Sequence, residues 1–216
     1  MRRRQADEYE DQEEEEATGR WSRGRGEGAR RWIWVVLIVL VLPLLIGAGV
    51  AVFAGRTIAF EVVHRLTDRK FPTGKWVAPT DLVRWRSDPG RAPPVVLDAR
   101  TAEEYAVSHL QAAVRIDPYR PSLRPLRGFS KDTAIVLYSS VGYRGARVAN
   151  FLERQGYTQV YNLDGGEFRW ANEGHPVYRQ ESPTTDVHPY NAGWGLMLES
   201  RHRIKAPPLE KKSAAP

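Results

Sequence analysis

The chain has 216 residues and a net charge of +6, which leaves room for one domain of ordinary size and additional segments. It contains no cysteine, so disulfides, thiolate metal sites and a thiol nucleophile supplied by this chain are excluded. This absence does not identify a cellular compartment, because a domain of this size can be stable without disulfides.

The first 31 residues form a charged segment whose two halves differ in sign. Eight of the eleven residues 6–16 are acidic, and five arginines follow before residue 32. Like charges at this density repel one another, and the segment has too few apolar side chains to build a core. Residues 1–31 are therefore predicted to be a disordered, solvated tail.

An apolar stretch of 23 residues without a charge covers residues 32–54. As a helix it rises about 34 Å, which is enough to cross a hydrocarbon layer about 30 Å thick. A cleaved signal peptide fits less well, because its apolar part is usually about 7–15 residues long and is not preceded by a long acidic segment. We predict one transmembrane helix over residues 32–54, a single-pass membrane protein, and the lipid bilayer as a partner.

The sequence around the span favours one orientation and one mode of self-association. Five arginines lie in the 15 residues before the span, against four Lys or Arg in the 16 residues after it. This difference favours a cytoplasmic N-terminus and a globular part outside the cytoplasm. Gly47, Ala51 and Gly55 share one helix face, where small side chains allow a second copy to approach. A weak homodimer through this face is predicted; the alternative is that small residues are simply common in such spans.

Behind the span, residues 55–75 are predicted to be a connector with a short helix that ends near Phe71. The folded domain is predicted over residues 76–180, and residues 181–216 form a C-terminal extension. Short apolar runs alternate with helical patterns in the domain, and the strand candidates are residues 95–97, 113–116, 134–138 and 160–163. This alternation predicts an α/β fold with a parallel sheet and helices on both of its faces.

Two helix starts are well marked in the sequence. Thr101 and Glu104 have the spacing of a capping box, which predicts a helix beginning there. The second helix is predicted to begin near Gly145, directly behind the strand at 134–138, and to end at Gly156. Its apolar face has the i, i+3, i+4, i+7 spacing of an amphipathic helix and consists of Gly145, Val148, Ala149 and Leu152.

The loop between this strand and this helix is the main candidate for a functional site. It consists of Ser139, Ser140, Val141, Gly142, Tyr143, Arg144 and Gly145. Ligands of parallel sheets bind at the carboxyl ends of the strands, and backbone N–H groups at a helix N-terminus attract anions. We predict an anion-binding loop in which Arg144 either adds charge-assisted hydrogen bonds or forms an ion pair with Asp98 or Glu104.

Four motifs, taken in order, resemble the rhodanese-like family. They are Leu97-Asp98-Ala99-Arg100, Glu104-Tyr105 with Ser108-His109-Leu110, Tyr138 to Arg144, and Asn162-Leu163-Asp164-Gly165-Gly166 with Trp170. The resemblance covers about residues 76–180 and implies a rhodanese-like parallel sheet. It also implies a site for sulfane sulfur transfer, in which the first residue of the loop is a cysteine that carries a persulfide. In the family's C-x-x-G-x-R pattern, Ser139 occupies that position.

Serine at this position argues against catalysis, because an alcohol cannot form a persulfide. A serine can act as a nucleophile where a base removes its proton, and the nearest candidate base in the sequence is His109. The alternative is that His109 is a packed or turn-bonding histidine. Asp98 and Arg100 are predicted to pair with each other and to support the loop rather than to react.

We therefore predict a noncatalytic rhodanese-like module that binds an anion, a persulfide carrier or a protein partner. The alternatives are a sulfurtransferase-type enzyme that uses a partner's thiol, a hydrolytic reaction at Ser139, and a purely structural domain. No metal site and no cofactor are predicted. The basic segment 115–131 is either a solvated loop or faces anionic headgroups or an acidic partner. Nucleic acid is not predicted as a partner, because aromatic interleaving and known nucleic-acid modules are missing from the sequence.

Overall fold

The computed structural model describes the backbone of residues 2–72 and 75–204, and the side chains of residues 32, 34–72 and 75–204. The chain divides into two compact units, Met1–Ala54 and Gly55–Pro216. The boundary follows the last residue of the predicted transmembrane stretch.

The first unit consists of helix α1, which extends over Arg2–Lys70 and continues into the second unit. The backbone of residues 2–31 is thus helical, where disorder was predicted. Glu, Gln, Ala and Arg have high helix propensity, so a helical backbone here does not require a buried core. The side chains of residues 1–31 lie outside the described part. Among the described residues, α1 is the one helix that is long and apolar enough to cross a membrane, by length and composition.

The second unit is built on a parallel sheet, as the sequence predicted, and this sheet has five strands, one more than the four strand candidates. The strand order is β1-β5-β4-β2-β3, and every neighbouring pair is parallel. The bounds are Lys75–Val77 for β1, Val95–Asp98 for β2, Val114–Arg115 for β3, Ile135–Tyr138 for β4 and Val160–Leu163 for β5. A separate antiparallel pair follows, with β6 at Val177–Arg179 and β7 at Ser182–Thr184.

Four further helices connect these strands. They are α2 (Pro79–Ser87), α3 (Ala102–Val107), α4 (Tyr143–Arg154) and α5 (Gly166–Asn172), with 3-10 turns at Arg124–Leu126 and Trp194–Met197. The predicted capping box is present at α3, where the side chains and backbones of Thr101 and Glu104 bond reciprocally. Helix α4 begins two residues before its predicted start, because Gly142 adopts a left-handed conformation and turns the chain into the helix.

Alternate residues of β4 pack on the two faces of the sheet. Val136 and Tyr138 belong to one apolar cluster, together with residues of α2 and α5. Ile135 and Leu137 belong to the other cluster, together with the apolar face of α4. Burial on both faces explains the continuous apolar run of this strand, and it confirms the prediction of helices on both sides.

The end of α1 is part of the folded unit, which differs from the predicted connector. Phe60 is 6% exposed and Thr67 is fully buried, and Phe60 belongs to the first core cluster. His64 Nδ1 lies 2.9 Å from Asp164 Oδ1, and the indole N–H of Trp76 donates to Asp68 at 3.3 Å. These contacts arise because residues three, four and seven apart share a helix face, so one face of this helix completes the core.

The C-terminal extension also packs back on the domain as far as residue 204. Val187 and Leu198 are fully buried in the first core cluster. The backbone N–H of Val187 donates to the carbonyl of His202 at 2.7 Å, and Asn172 donates to the carbonyl of Met197 at 2.8 Å. The remaining residues of the predicted extension, 205–216, lie outside the described part. The extension is therefore a structural element of the unit.

Candidate functional site

The loop from Ser139 to Gly145 leaves the carboxyl end of β4, and its last three residues are the first three residues of α4. Ser139 is 1% exposed, and its Oγ accepts a hydrogen bond from the backbone N–H of Gly142 at 3.2 Å. Gly142 has a φ of +98°, a conformation that L side chains rarely adopt. The loop therefore closes on the hydroxyl of its own first residue.

Helix α5 fixes the start of this loop through backbone hydrogen bonds. The N–H groups of Glu167 and Phe168 donate to the carbonyls of Ser139 and Ser140 at 2.9 and 3.0 Å. The approach is close enough that a Cβ on Gly166 would clash with the Ser139 carbonyl. A glycine is required at this position, which explains the Gly165-Gly166 motif in physical terms.

Ser140, Glu104 and Arg144 form a hydrogen-bonded cluster beside the loop. Arg144 donates to both carboxylate oxygens of Glu104, at 2.7 and 2.6 Å. The hydroxyl of Ser140 lies 2.9 Å from Glu104 Oε1, and it accepts a hydrogen bond from Arg144 at 2.9 Å. Of the two roles that the sequence left open for Arg144, the structure shows the ion pair with Glu104.

Glu104 remains ionised in this cluster. Burial alone would raise the pKa of its carboxyl, but the hydrogen bonds and charge of Arg144 lower it to about 2. Burial likewise opposes the charge of Arg144, but the bonds to Glu104 raise its pKa above the usual value. Most of the positive charge of Arg144 is therefore compensated by a protein carboxylate.

A second cluster lies fully buried beneath the site, centred on Arg100. Its guanidinium donates to Asp98 at 2.6 and 2.9 Å, to the carbonyl of Ser108 at 2.5 Å, and to Glu167 through a further short contact. Tyr138 donates to Asp98 at 2.6 Å. Arg100 thus connects the end of β2 to α5, the helix that bonds to the loop.

One guanidinium faces two carboxylates in this cluster. Burial raises the pKa of Glu167 to about 8, although the charge of Arg100 opposes the shift. Burial also raises the pKa of Tyr138 well above its usual value. Glu167 accepts hydrogen bonds from Arg100 and from the hydroxyl of Ser108, so each of its two carboxyl oxygens has a donor within the cluster.

The backbone of the loop retains unpaired donors. Between residues 140 and 145, the N–H of Gly142 is bonded to Ser139 Oγ. The other N–H groups of this segment have no hydrogen-bond acceptor within the described residues; they belong to Ser140, Val141, Tyr143, Arg144 and Gly145. They lie at the N-terminus of α4, a helix of 12 residues, where the helix dipole also favours negative charge.

His109 does not lie in this loop. Its ring stacks on Tyr105 with 4.3 Å between the ring centroids, and its Nδ1 is 3.0 Å from the carbonyl of Leu110. The hydrogen bonds described for Ser139 Oγ involve neither this histidine nor a carboxylate. His109 is thus a packed, turn-bonding histidine, the alternative that the sequence analysis offered.

A cavity of about 430 Å³ opens above the loop. Ser139, Ser140 and Arg144 line it on the loop side, and the end of α1 and the C-terminal extension supply other walls. The ring of Tyr190 lies 4.9 Å from the guanidinium carbon of Arg144. Within the described residues, no group of three or more His, Asp or Glu side chains is arranged to hold a metal ion.

Several residues of this site carry no recognisable signal in the sequence. Glu167 is an ordinary helical glutamate in the sequence, and its contact with Arg100 links positions 67 residues apart. Tyr190 and Thr67 reach the cavity from segments outside the resemblance.

A parallel sheet whose central strand β4 ends in a loop that leads into α4 defines an α/β domain with a candidate site at the β4–α4 junction. The chain belongs to the rhodanese-like family. Residues 79–173 match the family description "Rhodanese-like domain". A protein named "Sulfurtransferase" from Allochromatium vinosum is 31% identical over 87 residues, which cover 40% of this chain and 80% of that protein.

Other relatives share the domain but are longer. "Thiosulfate sulfurtransferase YnjE" of Escherichia coli is 31% identical over 100 residues, covering 39% of this chain and 23% of that protein. A "tRNA uridine(34) hydroxylase" of Bacillus pumilus is 31% identical over 99 residues, which cover 44% of this chain and 30% of that protein. A rhodanese-related crystal structure from Thermoplasma volcanium is 22% identical with a TM-score of 0.41, covering 49% of this chain and 98% of that one.

Proposed function

We propose that this protein is a membrane-anchored, noncatalytic rhodanese-like domain that binds an anionic ligand at the loop from Ser139 to Gly145. The observation that carries the proposal is the combination of an alcohol at the first loop position with unpaired N–H donors behind it. An anion can use those donors whether or not a nucleophile is present. The ligand is a free anion, a persulfidated carrier or an acidic group of a protein partner.

The chemistry of sulfur transfer supports the noncatalytic part of this proposal. A persulfide forms on a thiolate, and this chain contains no cysteine. Hydrolysis at Ser139 would need a base to remove the hydroxyl proton, and the hydrogen-bond partner described for Ser139 Oγ is the N–H of Gly142, which is a donor and cannot act as that base. Neither route is supported by the residues that surround Ser139.

The alternative is a sulfurtransferase that uses the thiol of a partner. It is favoured by the names of two relatives, "Sulfurtransferase" and "Thiosulfate sulfurtransferase YnjE". In that case the loop would bind the sulfur donor while the partner provides the nucleophile. An assay of the isolated chain with and without added thiol separates this alternative from the proposal.

We expect thiosulfate to stabilise the full chain in nanodiscs without being consumed. At constant ionic strength, replacing chloride by thiosulfate should raise the melting temperature, because a ligand that binds only the folded state adds about 2.7 kcal/mol at 100 times its Kd. Thiocyanate should not form from thiosulfate and cyanide. Intrinsic fluorescence and a colorimetric thiocyanate assay measure the two outcomes.

The matched variants are Ser139→Asp and Ser122→Asp. The first places a carboxylate inside the loop, where it should compete for the N–H donors and abolish the stabilisation by thiosulfate. The second adds the same charge at an exposed serine outside the loop and should leave the stabilisation intact. Equal stabilisation of both variants contradicts binding at the loop, and thiocyanate production by the wild type contradicts the noncatalytic proposal.

Membrane anchoring is supported by the length and composition of α1. The excess of arginines before the span further supports a domain outside the cytoplasm. We therefore expect alkaline phosphatase fused after residue 216 to be active in a bacterial host, because this reporter requires export. Activity of a cytoplasmic reporter at the same position would contradict this orientation and indicate a domain inside the cytoplasm. The homodimer through Gly47, Ala51 and Gly55 stays a prediction.

A further inference from the structure

The cavity above the loop is much larger than an inorganic anion requires. Its volume of about 430 Å³ lies in the range of pockets that hold small organic ligands. Sulfate or thiosulfate would fill only the part next to the loop. The rest of the cavity should therefore correspond to a different part of a larger ligand.

That outer part is apolar and aromatic. Val63 and Leu66 of α1 line one side of it, and Tyr119, Tyr190 and Trp194 line the remainder. Leu66, Tyr119, Tyr190 and Trp194 are 58%, 54%, 42% and 38% exposed, so a ligand could cover apolar surface that now faces solvent. Covering such surface is favourable by about 25 cal/mol per Å².

The inner part is polar and attracts negative charge. Ser139 and Ser140 lie there with the unpaired N–H donors of the loop, and Arg147 adds an exposed guanidinium. The described lining residues include two arginines but no Asp or Glu. Glu104 neutralises Arg144 through their ion pair. The charge of a ligand would therefore be balanced by Arg147 and the N-terminus of α4.

Thr67 gives an independent indication that this wall of the cavity faces a polar atom of a ligand. It lines the cavity, its side chain is fully buried, and its Oγ1 has no hydrogen-bond partner among the residues that the structure describes. A buried hydroxyl without a partner is costly, and native structures contain few of them. A bound molecule that places a polar atom at this wall would satisfy the hydroxyl.

We propose that the cavity binds an amphiphilic anion: a single anionic head that reaches the loop and the hydroxyl of Thr67, and an apolar chain or ring between α1 and the C-terminal extension. The proposal rests on anion binding by the loop and specifies its ligand class. Inorganic sulfur anions then bind only through the loop, and an acidic lipid-like or alkyl sulfonate or phosphate compound binds more tightly because it also covers the apolar part of the cavity.

Three probes test this class on the full chain in nanodiscs: hexanesulfonate, methanesulfonate and hexan-1-ol. Binding is measured by equilibrium dialysis, and empty nanodiscs correct for partition into lipid. Hexanesulfonate should bind about 100-fold more tightly than methanesulfonate, the gain from burying three to four methylene groups. It should also bind at least about 10-fold more tightly than hexanol, which lacks the charge.

The outcomes separate this inference from the proposed function. Equal affinities for the two sulfonates would overturn the proposal that the ligand has an apolar part, and would leave the proposal of anion binding intact. No binding of either sulfonate would overturn anion binding itself. If hexanol bound as tightly as hexanesulfonate, the proposal that the ligand has an anionic head would be overturned.

Two variants locate the ligand. Leu66→Asn should weaken hexanesulfonate binding by about 10-fold and leave methanesulfonate unchanged, since it removes apolar contact without adding charge. Ile58→Asn is the control, because Ile58 lies on the same helix, is similarly exposed and does not line the cavity. An equal effect of both variants would overturn the placement of the apolar part.

Thr67→Val tests the unpaired hydroxyl. This variant keeps the shape of the side chain and removes the oxygen, so the ligand-free chain should melt at the same temperature or higher. Hexanesulfonate affinity should fall by about 5-fold, as expected for the loss of one hydrogen bond. Unchanged affinity would overturn the assignment of Thr67 to the ligand site.

The same chemistry could come from the bilayer or from solution. Nanodiscs that contain anionic phosphatidylglycerol are therefore compared with nanodiscs of neutral lipid. Competition between phosphatidylglycerol and hexanesulfonate supports a membrane lipid as the ligand. Undiminished hexanesulfonate binding in the anionic nanodiscs supports a water-soluble amphiphile.

Discussion

Replacing Arg100 by methionine should destabilise the domain by about 3–5 kcal/mol, the usual effect of removing one partner from a buried ion pair. The guanidinium is fully buried and bonds to Asp98, Glu167 and the carbonyl of Ser108. Without it, Asp98 remains as a buried charge with no cation, and α5 loses its link to β2. Urea unfolding of the full chain, followed by fluorescence, measures the change in free energy.

Arg179→Met is the matched control for this experiment. Arg179 forms an ion pair with Asp186 at 2.9 Å, but the two side chains are 48% and 44% exposed. Exposed pairs contribute only about 0–1 kcal/mol, because water and salt screen them. Similar losses in the two variants would show that the buried cluster does not hold the domain together.

The effect of Arg100→Met should extend to the loop. Glu167 follows Gly166 directly, and its N–H donates to the carbonyl of Ser139. A shift of α5 would therefore move the first residue of the loop. The coupling is present if thiosulfate no longer raises the melting temperature of the variant although the variant is folded before heating. A loss of stability alone would lower the melting temperature but would still allow thiosulfate to bind the folded fraction.

The parts of the fold that could be predicted from the sequence are those with local signals. The strand at Ile135–Tyr138 is a short apolar run, the capping box is a spacing of three residues, and the face of α4 repeats with the helical period. Each signal lies within a few residues of the structure that it specifies. The parallel sheet followed from the alternation of these elements.

The parts that could not be predicted depend on contacts between distant segments. Thr67 and Trp194 approach the same cavity from opposite ends of the domain, and neither belongs to a periodic pattern that would indicate it. Glu104 shows the same limit within one residue. Its capping role follows from its spacing to Thr101. Its bidentate contact with Arg144, however, joins residues 40 positions apart. The sequence therefore left two possible partners for Arg144, Asp98 and Glu104.

Introducing a cysteine at position 139 should convert the loop into a site that accepts sulfur. In Ser139→Cys, the sulfur would lie next to the N–H of Gly142 and near the N-terminus of α4. Both favour a thiolate, so the pKa of the thiol should fall below its usual value of about 8.5. The thiolate then attacks the outer sulfur of thiosulfate, the S–S bond breaks, and sulfite leaves with the bonding electron pair.

The product is a persulfide on residue 139, and the protein gains the mass of one sulfur atom. Intact-mass spectrometry detects this gain, and cyanide should reverse it by removing the outer sulfur as thiocyanate. Ser122→Cys is the control, since it introduces the same thiol at an exposed position in a chain that otherwise has none. Equal gains in both variants would indicate ordinary thiol chemistry and no contribution from the loop.

Adding Arg144→Ala to Ser139→Cys should reduce the mass gain, for a reason that the ion pair makes specific. Arg144 neutralises the carboxylate of Glu104, which is bonded to Ser140, the second residue of the loop. Without the guanidinium, that negative charge would face both the new thiolate and the incoming thiosulfate, so both should be destabilised. If the double variant gains sulfur as readily as Ser139→Cys, the charge balance of the loop does not control its affinity for anions.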